Sequence, residues 1–220
     1  DGPLGTGWSH DYLDDYYAAE VSALTVDGGC VTVIVRGADR AGKAPLMRLE
    51  PYSDYLTLAP GSTTTGGDAK PRLYRHLGRN IVALSGPIGV GQRVESTLTV
   101  RQPGLHAATL LLLALKRAGT AVAGGVAAGK TPESAVELGW HDSQPLSRLI
   151  ATVNLHSDNN YAEAIQRTIS LAKSGVGSCT GSVDYIDKWA EGFGADSKAF
   201  LMYDGCGLSR MNSVTPRFLV

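Results

Sequence analysis

The residues best suited to chemistry form one run, His156-Ser157-Asp158-Asn159-Asn160-Tyr161-Ala162-Glu163. A hydroxyl, a carboxylate and an amide stand side by side in it. A hydroxyl can pass a proton on, and an amide can donate one hydrogen bond while accepting another. The same residues have a plain structural use. Ser157 and Asp158 are both good N-cap residues. Downstream, Tyr161, Ala162, Ile165, Thr168, Ile169 and Ala172 recur at helical spacing, and Glu163, Gln166, Arg167 and Lys173 are left for the polar side. The run therefore reads as a loop turning into a helix, and a cap and a catalytic hydroxyl can share such a loop.

The elements that must position it change character along the chain. Residues 1–20 are turn-rich, with Trp8, Tyr12, Tyr16 and Tyr17 interleaved with Asp11, Asp14 and Asp15. They suit either aromatics tucked onto a sheet or a pocket wall. Val21–Val26 and Cys30–Val35 flank Asp27-Gly28-Gly29 and predict a hairpin. Further strands are expected within 46–58, broken by Pro51, and at 72–77, 80–85 and 93–100. After Pro103 the period becomes helical, over 105–118, with Lys116 and Arg117 at the end that favours cations. A short strand over 120–128 follows. Then come helices over 147–155, with Leu146, Leu149, Ile150 and Val153 inward, from the Ser157 loop to near Gly175, and over 184–193. A last strand over 199–203 leads into the tight turn Asp204-Gly205-Cys206-Gly207. Gly86-x-x-Gly89-x-Gly91 opens no helix and is not a phosphate loop.

The totals exclude several classes. With 43% hydrophobic and 19% charged residues in 220, a packed core is expected and wholesale disorder is not. A net charge of -1 leaves no basic stripe for a nucleic acid. The longest apolar run, 107–115, is too short to span a membrane. Cys30, Cys179 and Cys206 have no metal-type spacing, and a Cys179–Cys206 disulfide stays open. Both ends read as cuts through a longer sequence.

Three stretches, in order, carry a resemblance. They are Trp8 through Tyr16-Tyr17-Ala18-Ala19-x-Val21-Ser22-Ala23-Leu24-Thr25-Val26, then Pro145-Leu146-Ser147 through Ser157-Asp158-Asn159-x-Tyr161-Ala162-Glu163, then Asp204-Gly205-Cys206-Gly207-Leu208-Ser209-Arg210-x-Asn212-x-x-Thr215-Pro216. The chain resembles the class C low-molecular-mass penicillin-binding proteins, serine D-alanyl-D-alanine carboxypeptidases and endopeptidases of bacterial cell walls. It departs from their usual pattern at Tyr12, Glu20 and Cys206, where Asp, Pro and Ser are usual.

The resemblance implies an α+β fold: part of a β-lactamase/transpeptidase-like catalytic domain, residues 139–220, and part of a β-rich inserted domain, residues 1–138. It implies that Ser157 relays a proton to the leaving amine, and that Asn159 holds the base lysine and donates to the substrate's backbone carbonyl. Arg210, Tyr17 and Asp11 are the implied specificity residues, since an Arg suits a stem-peptide carboxylate; Arg210 as a clamp on nearby carbonyls is equally compatible with the sequence. The implied partners are peptidoglycan stem peptides, with β-lactams as inhibitors, no metal, no cofactor and no nucleic acid. The expected location is extracytoplasmic, in periplasm or cell wall, with peripheral membrane association open. The family's Ser-x-x-Lys and Lys-Thr-Gly motifs are expected beyond these residues, so that this stretch alone is inactive. Ser170-Leu171-Ala172-Lys173, Lys173-Ser174-Gly175 and Lys130-Thr131-Pro132 mimic them in the wrong order or context. A class A β-lactamase is disfavoured by the long β-rich region ahead of Ser157. A non-catalytic wall-binding scaffold would differ by never becoming acylated.

Overall fold

A computed structural model describes residues 2–196 and 199–219. The first half is built on β1 (Cys30–Arg36), β2 (Leu46–Glu50), β3 (Thr57–Ala59), β4 (Thr64–Thr65), β5 (Arg72–Arg75), β6 (Ile81–Ser85), β7 (Ile88–Gly89) and β8 (Arg93–Thr99). The strand β1 is central to an antiparallel sheet of order β2-β1-β8, with Val33 opposite Leu49 on one side and Ser96 on the other. Alternation does the folding here: Val31, Val33 and Val35 point one way and are at most 1% exposed. They meet Leu73, Val82 and Leu84 of a second sheet, order β3-β6-β5, together with Leu49, Leu98, Val100 and Ile88. Each such side chain stabilises by about 1.5–3 kcal/mol when buried, so this unit has a core of its own. Gly37 ends β1 where a Cβ would lie 1.9 Å from the carbonyl oxygen of Gly89. Only a residue without one lets the small parallel β4–β7 pair approach.

The hairpin expected at 21–35 does not form. Both edges of β1 are taken by β2 and β8, so 21–26 has no edge to join. Asp27, Gly28 and Gly29 all have positive φ and coil into a single 3-10 turn instead. Leu24 and Val26 are left 54% and 37% exposed.

The second half is helical: α1 (Pro103–Arg117), α2 (Leu146–His156), α3 (Asn159–Ser174), α4 (Cys179–Glu191), a two-residue pair β9 (Phe200–Leu201) and β10 (Ser213–Val214), and α5 (Pro216–Leu219). Pro103 opens α1, where a missing N–H costs nothing. The N–H of Gln102 just before it bonds Glu20 Oε2 at 2.8 Å, tying α1 to the N-terminal segment. The strand expected over 120–128 is absent: Gly124 and Gly125 bring no side chain to bury, and 118–145 carries no regular element. Leu146 and Ile150 of α2, expected inward, are 58% and 44% exposed. That helix packs on α3 along one side only, and none of its residues is buried.

Candidate active site

The loop between α2 and α3 divides its work between neighbouring residues. Asp158 is the cap: its Oδ1 accepts the N–H of Tyr161 at 2.9 Å. Ser157 is therefore released from capping. It is exposed, and its hydroxyl makes no hydrogen bond among the described residues. Its backbone sits at φ 55°, ψ 46°, the left-handed region. For a residue with a Cβ that costs about 1–2 kcal/mol, and it turns the chain sharply enough to present the hydroxyl at the tip between two helices.

Asn159 is the first residue of α3. Its Nδ2 donates to the carbonyl oxygen of Tyr17 at 2.8 Å. The amide is planar, so this bond turns Oδ1 away from Tyr17 and leaves one N–H without a partner among the described residues. Tyr17 belongs to a single 3-10 turn, Tyr16–Ala18, whose Ala18 is fully buried. The Tyr17 hydroxyl donates to Asp15 Oδ2 at 2.9 Å. Desolvation first and the Asp15 carboxylate second push this phenol up to about 12, keeping it a neutral donor.

The helix α3 buries the face that its sequence marks as polar. Glu163 and Ser170 are fully buried and Gln166 is 3% exposed, while Tyr161 and Ile169, read as inward, are 40% and 37% exposed. The cause is a set of donors that only polar groups can meet. Glu163 Oε1 accepts the backbone N–H of Gly205 at 2.6 Å and of Cys206 at 3.1 Å. Its Oε2 pairs with Arg167 at 2.5 Å. Gln166 Oε1 accepts the Cys179 thiol at 3.3 Å. A Cβ on Gly205 would lie 2.8 Å from Gln166 Oε1 and 3.0 Å from the carbonyl oxygen of Ala162, so any side chain there would crowd the turn against α3.

Asp204, 1% exposed, organises the far side of that turn. Its Oδ2 accepts from Trp8 Nε1 at 2.8 Å and the N–H of Ser209 at 2.6 Å. Its Oδ1 accepts from Asn212 Nδ2 at 2.6 Å and the N–H of Gly207 at 3.0 Å. Ligand atoms of Glu163, Asp204 and Cys206 lie within 4.8 Å of one another. Their carboxylate oxygens are already met by N–H donors, and burial pushes the Cys206 thiol well up, away from the thiolate a metal needs. The trio is a hydrogen-bonded scaffold. All three cysteines are free thiols, so the disulfide left open by the sequence is not formed.

The family described as the D-Ala-D-Ala carboxypeptidase 3 (S13) family matches residues 2–220. The chain belongs to this S13 family. A curated relative, the D-alanyl-D-alanine carboxypeptidase of Actinomadura sp. (strain R39), is 30% identical over 215 residues, 90% of this chain and 39% of its own. The crystal structure of penicillin binding protein 4 (dacB) from Haemophilus influenzae matches with a TM-score of 0.83 at 18% identity, covering 100% of this chain and 49% of the other. The same protein complexed with a novel β-lactam matches at 0.75 and 18%, over 92% and 47%. The fold is theirs: a partial transpeptidase-like domain of mixed α and β structure. The chain thus spans about two fifths to one half of the length of these relatives.

Within this S13 chain the residues singled out by sequence fall in three places. Tyr17 and Asn159 are bonded directly. Arg210 is exposed beside Ser209, on the turn that Asp204 and Glu163 hold, and makes no hydrogen bond or ion pair among the described residues. Asp11 lies on the single turn His10–Tyr12 and lines a different cavity, with Asp14, Tyr74 and His76. Glu163, Asp204 and Trp8 were not legible as site residues. Glu163 serves backbone N–H groups some forty residues away, and Trp8 donates to Asp204 across 196 residues, pairings that no local pattern marks. The Ser170–Lys173 mimic is structural: the fully buried Ser170 hydroxyl donates to the carbonyl of Val176 at 2.7 Å and closes the end of α3.

Proposed function

We propose that this chain is part of a D-alanyl-D-alanine carboxypeptidase/endopeptidase that cleaves peptidoglycan stem peptides through a serine acyl-enzyme. The observation that carries the reading is the division of labour at 157–159 in an S13 chain: an uncapped, exposed Ser157 hydroxyl beside an Asn159 amide fixed by Tyr17. A serine and a Lys-Thr-Gly strand outside these residues supply the nucleophile and the facing strand. The serine oxygen attacks the carbonyl carbon of the scissile peptide, the C–N bond breaks, and D-alanine leaves as the amine. Ser157 hands that amine its proton. Asn159 offers Oδ1 to the base lysine and its remaining N–H to the substrate's backbone carbonyl. Water then hydrolyses the ester.

Arg210, Tyr17 and Asp11 are assigned to substrate selection, with Arg210 the partner for a stem-peptide carboxylate. Residues 139–220 form the catalytic part and 1–138 the β-rich inserted part, with the segment around Trp8 and Tyr17 bridging the two. β-Lactams are the expected inhibitors, and the setting is extracytoplasmic, in periplasm or cell wall. No described helix is long and apolar enough to cross a membrane.

The test is intact-mass measurement after incubation with a labelled penicillin, on this chain and on a version extended at both ends. Label on the extended form alone is expected. Label on neither form points to a non-catalytic scaffold, and label on the 220-residue chain would place the nucleophile within it.

A further inference from the structure

The carbonyl that holds Asn159 belongs to a segment which is itself held by one buried cation. Arg75, the last residue of β5, is 5% exposed and forms no ion pair among the described residues. Its Nε and Nη2 donate to Thr99 Oγ1 at 3.3 and 3.0 Å, and Nη2 also donates to the carbonyl of Leu13 at 3.0 Å. Its Nη1 donates to the carbonyls of His76 and Arg79 at 3.2 and 3.0 Å. Thr99, 1% exposed, adds its own hydroxyl to the Leu13 carbonyl at 2.7 Å and its N–H to the Asp14 carbonyl at 3.0 Å. Asp15 then bridges to Leu98, and the N–H of Ala18 bonds the carbonyl of Asp15 at 2.9 Å. The Tyr17 carbonyl, fixed inside that turn, receives Asn159.

Burying a guanidinium with no carboxylate in direct contact is costly, since desolvation outweighs the more distant attraction of Glu20 and Asp14, and an apolar residue would serve a strand better. What the guanidinium supplies that an apolar residue cannot is a set of donors in a rigid fork, aimed at three carbonyls and a hydroxyl. We propose that Arg75, acting with Thr99, is a positioning residue for the Asn159 amide. It fixes the Leu13 carbonyl, hence the Asp15–Ala18 turn, hence the Tyr17 carbonyl. The β-rich unit thereby sets the orientation of a group in the helical unit. This rests on the acyl-transfer reading for its kinetic readout alone.

Two measurements test it. The first needs no activity: the side-chain amide signal of Asn159 in a ¹⁵N–¹H spectrum of this chain, assigned by its loss in Asn159→Asp. In Thr99→Val, which removes one hydroxyl and little volume, the signal moves and exchanges with solvent about fivefold faster, as for one ordinary hydrogen bond weakened. Thr99→Ser retains the wild-type signal. An unchanged Asn159 signal in both Thr99→Val and Arg75→Lys overturns the proposal. The second is acylation of the extended form by a labelled penicillin. Thr99→Val slows it, and the slowing disappears when Asn159→Ala is already present. Slowing that persists in full beside Asn159→Ala also overturns it. If even the wild-type extended form takes no label, the acyl-transfer reading fails and the amide signal alone decides the positioning role.

Discussion

Glu163 and Gly205 lie 42 residues apart in sequence, and the carboxylate of one accepts the backbone N–H of the other at 2.6 Å. The second Glu163 oxygen is bound by Arg167, whose side chain is 14% exposed. Removing the carboxylate leaves a nearly buried cation and two backbone donors unmet. Glu163→Ala is expected to cost about 3–5 kcal/mol, as for one partner taken from a buried pair. Glu163→Gln keeps an acceptor and the shape, and is expected to cost about 1–3 kcal/mol. Urea denaturation of both variants checks this; equal losses would mean that the negative charge facing Arg167, not an acceptor for Gly205 and Cys206, is what Glu163 supplies.

Gly205→Ala tests the same contact from the other side. Its φ is unremarkable, so the penalty is steric: the new methyl meets the Ala162 carbonyl, which is helix backbone and cannot swing away. Overpacking of this kind costs about 1–3 kcal/mol. Gln166→Ala removes the near Oε1 but keeps the Cβ, 3.0 Å from the new methyl, and should recover only part of it, read as the difference in urea midpoint between the single and double variants.

The β-rich half was largely legible because alternation is a local signal. Val31, Val33 and Val35 mark β1 whatever else surrounds them. The partner of β1 was not legible. Choosing between the adjacent 21–26 run and the distant β2 and β8 depends on which edges remain free, which no local pattern encodes. The α3 helix was placed correctly, but its buried face was inverted. An apolar stripe at Tyr161, Ile165 and Ile169 outranks Glu163 and Gln166 on any hydrophobicity argument; the donors that reverse the choice come from Gly205, Cys206 and Cys179. At the site itself, Ser157, Asp158 and Asn159 were visible as residue types. Which of the first two caps the helix was settled by the left-handed backbone of Ser157.

His106 makes the stability depend on pH. It is fully buried on α1, its ring stacks on Tyr55 at 5.6 Å, and neither nitrogen has a hydrogen-bond partner among the described residues. Burial lowers its pKa from the ordinary 6.5, against a smaller opposing effect of Asp27. The unfolded chain then takes up this proton before the folded one does. This group's contribution is therefore fully present above about pH 6.5 and is lost as the pH falls below it, by about 1.4 kcal/mol per unit of separation between the two values. His106→Leu should flatten that part of a stability-against-pH curve without weakening the fold at pH 7, since no buried polar nitrogen is left unmet. A curve as steep as wild type between pH 6.5 and 5 would assign the effect to other groups.

The loop at 157–159 allows fold and chemistry to be separated by two neighbouring substitutions. Ser157→Gly keeps the left-handed backbone at no steric cost, so folding stability should hold or rise by up to about 1 kcal/mol. Acylation of the extended form by a labelled penicillin should nevertheless slow by about 10²–10⁴-fold, the range expected when a proton-transfer group is lost. Asp158→Ala should do the reverse: about 1 kcal/mol of stability disappears with the cap, while acylation falls far less because the relay hydroxyl and the Asn159 amide remain. Thermal denaturation and acylation rates on the same two variants give the four numbers needed. If Asp158→Ala slowed acylation as much as Ser157→Gly, the carboxylate would have a part in proton transfer and the division of labour between the two residues would be wrong.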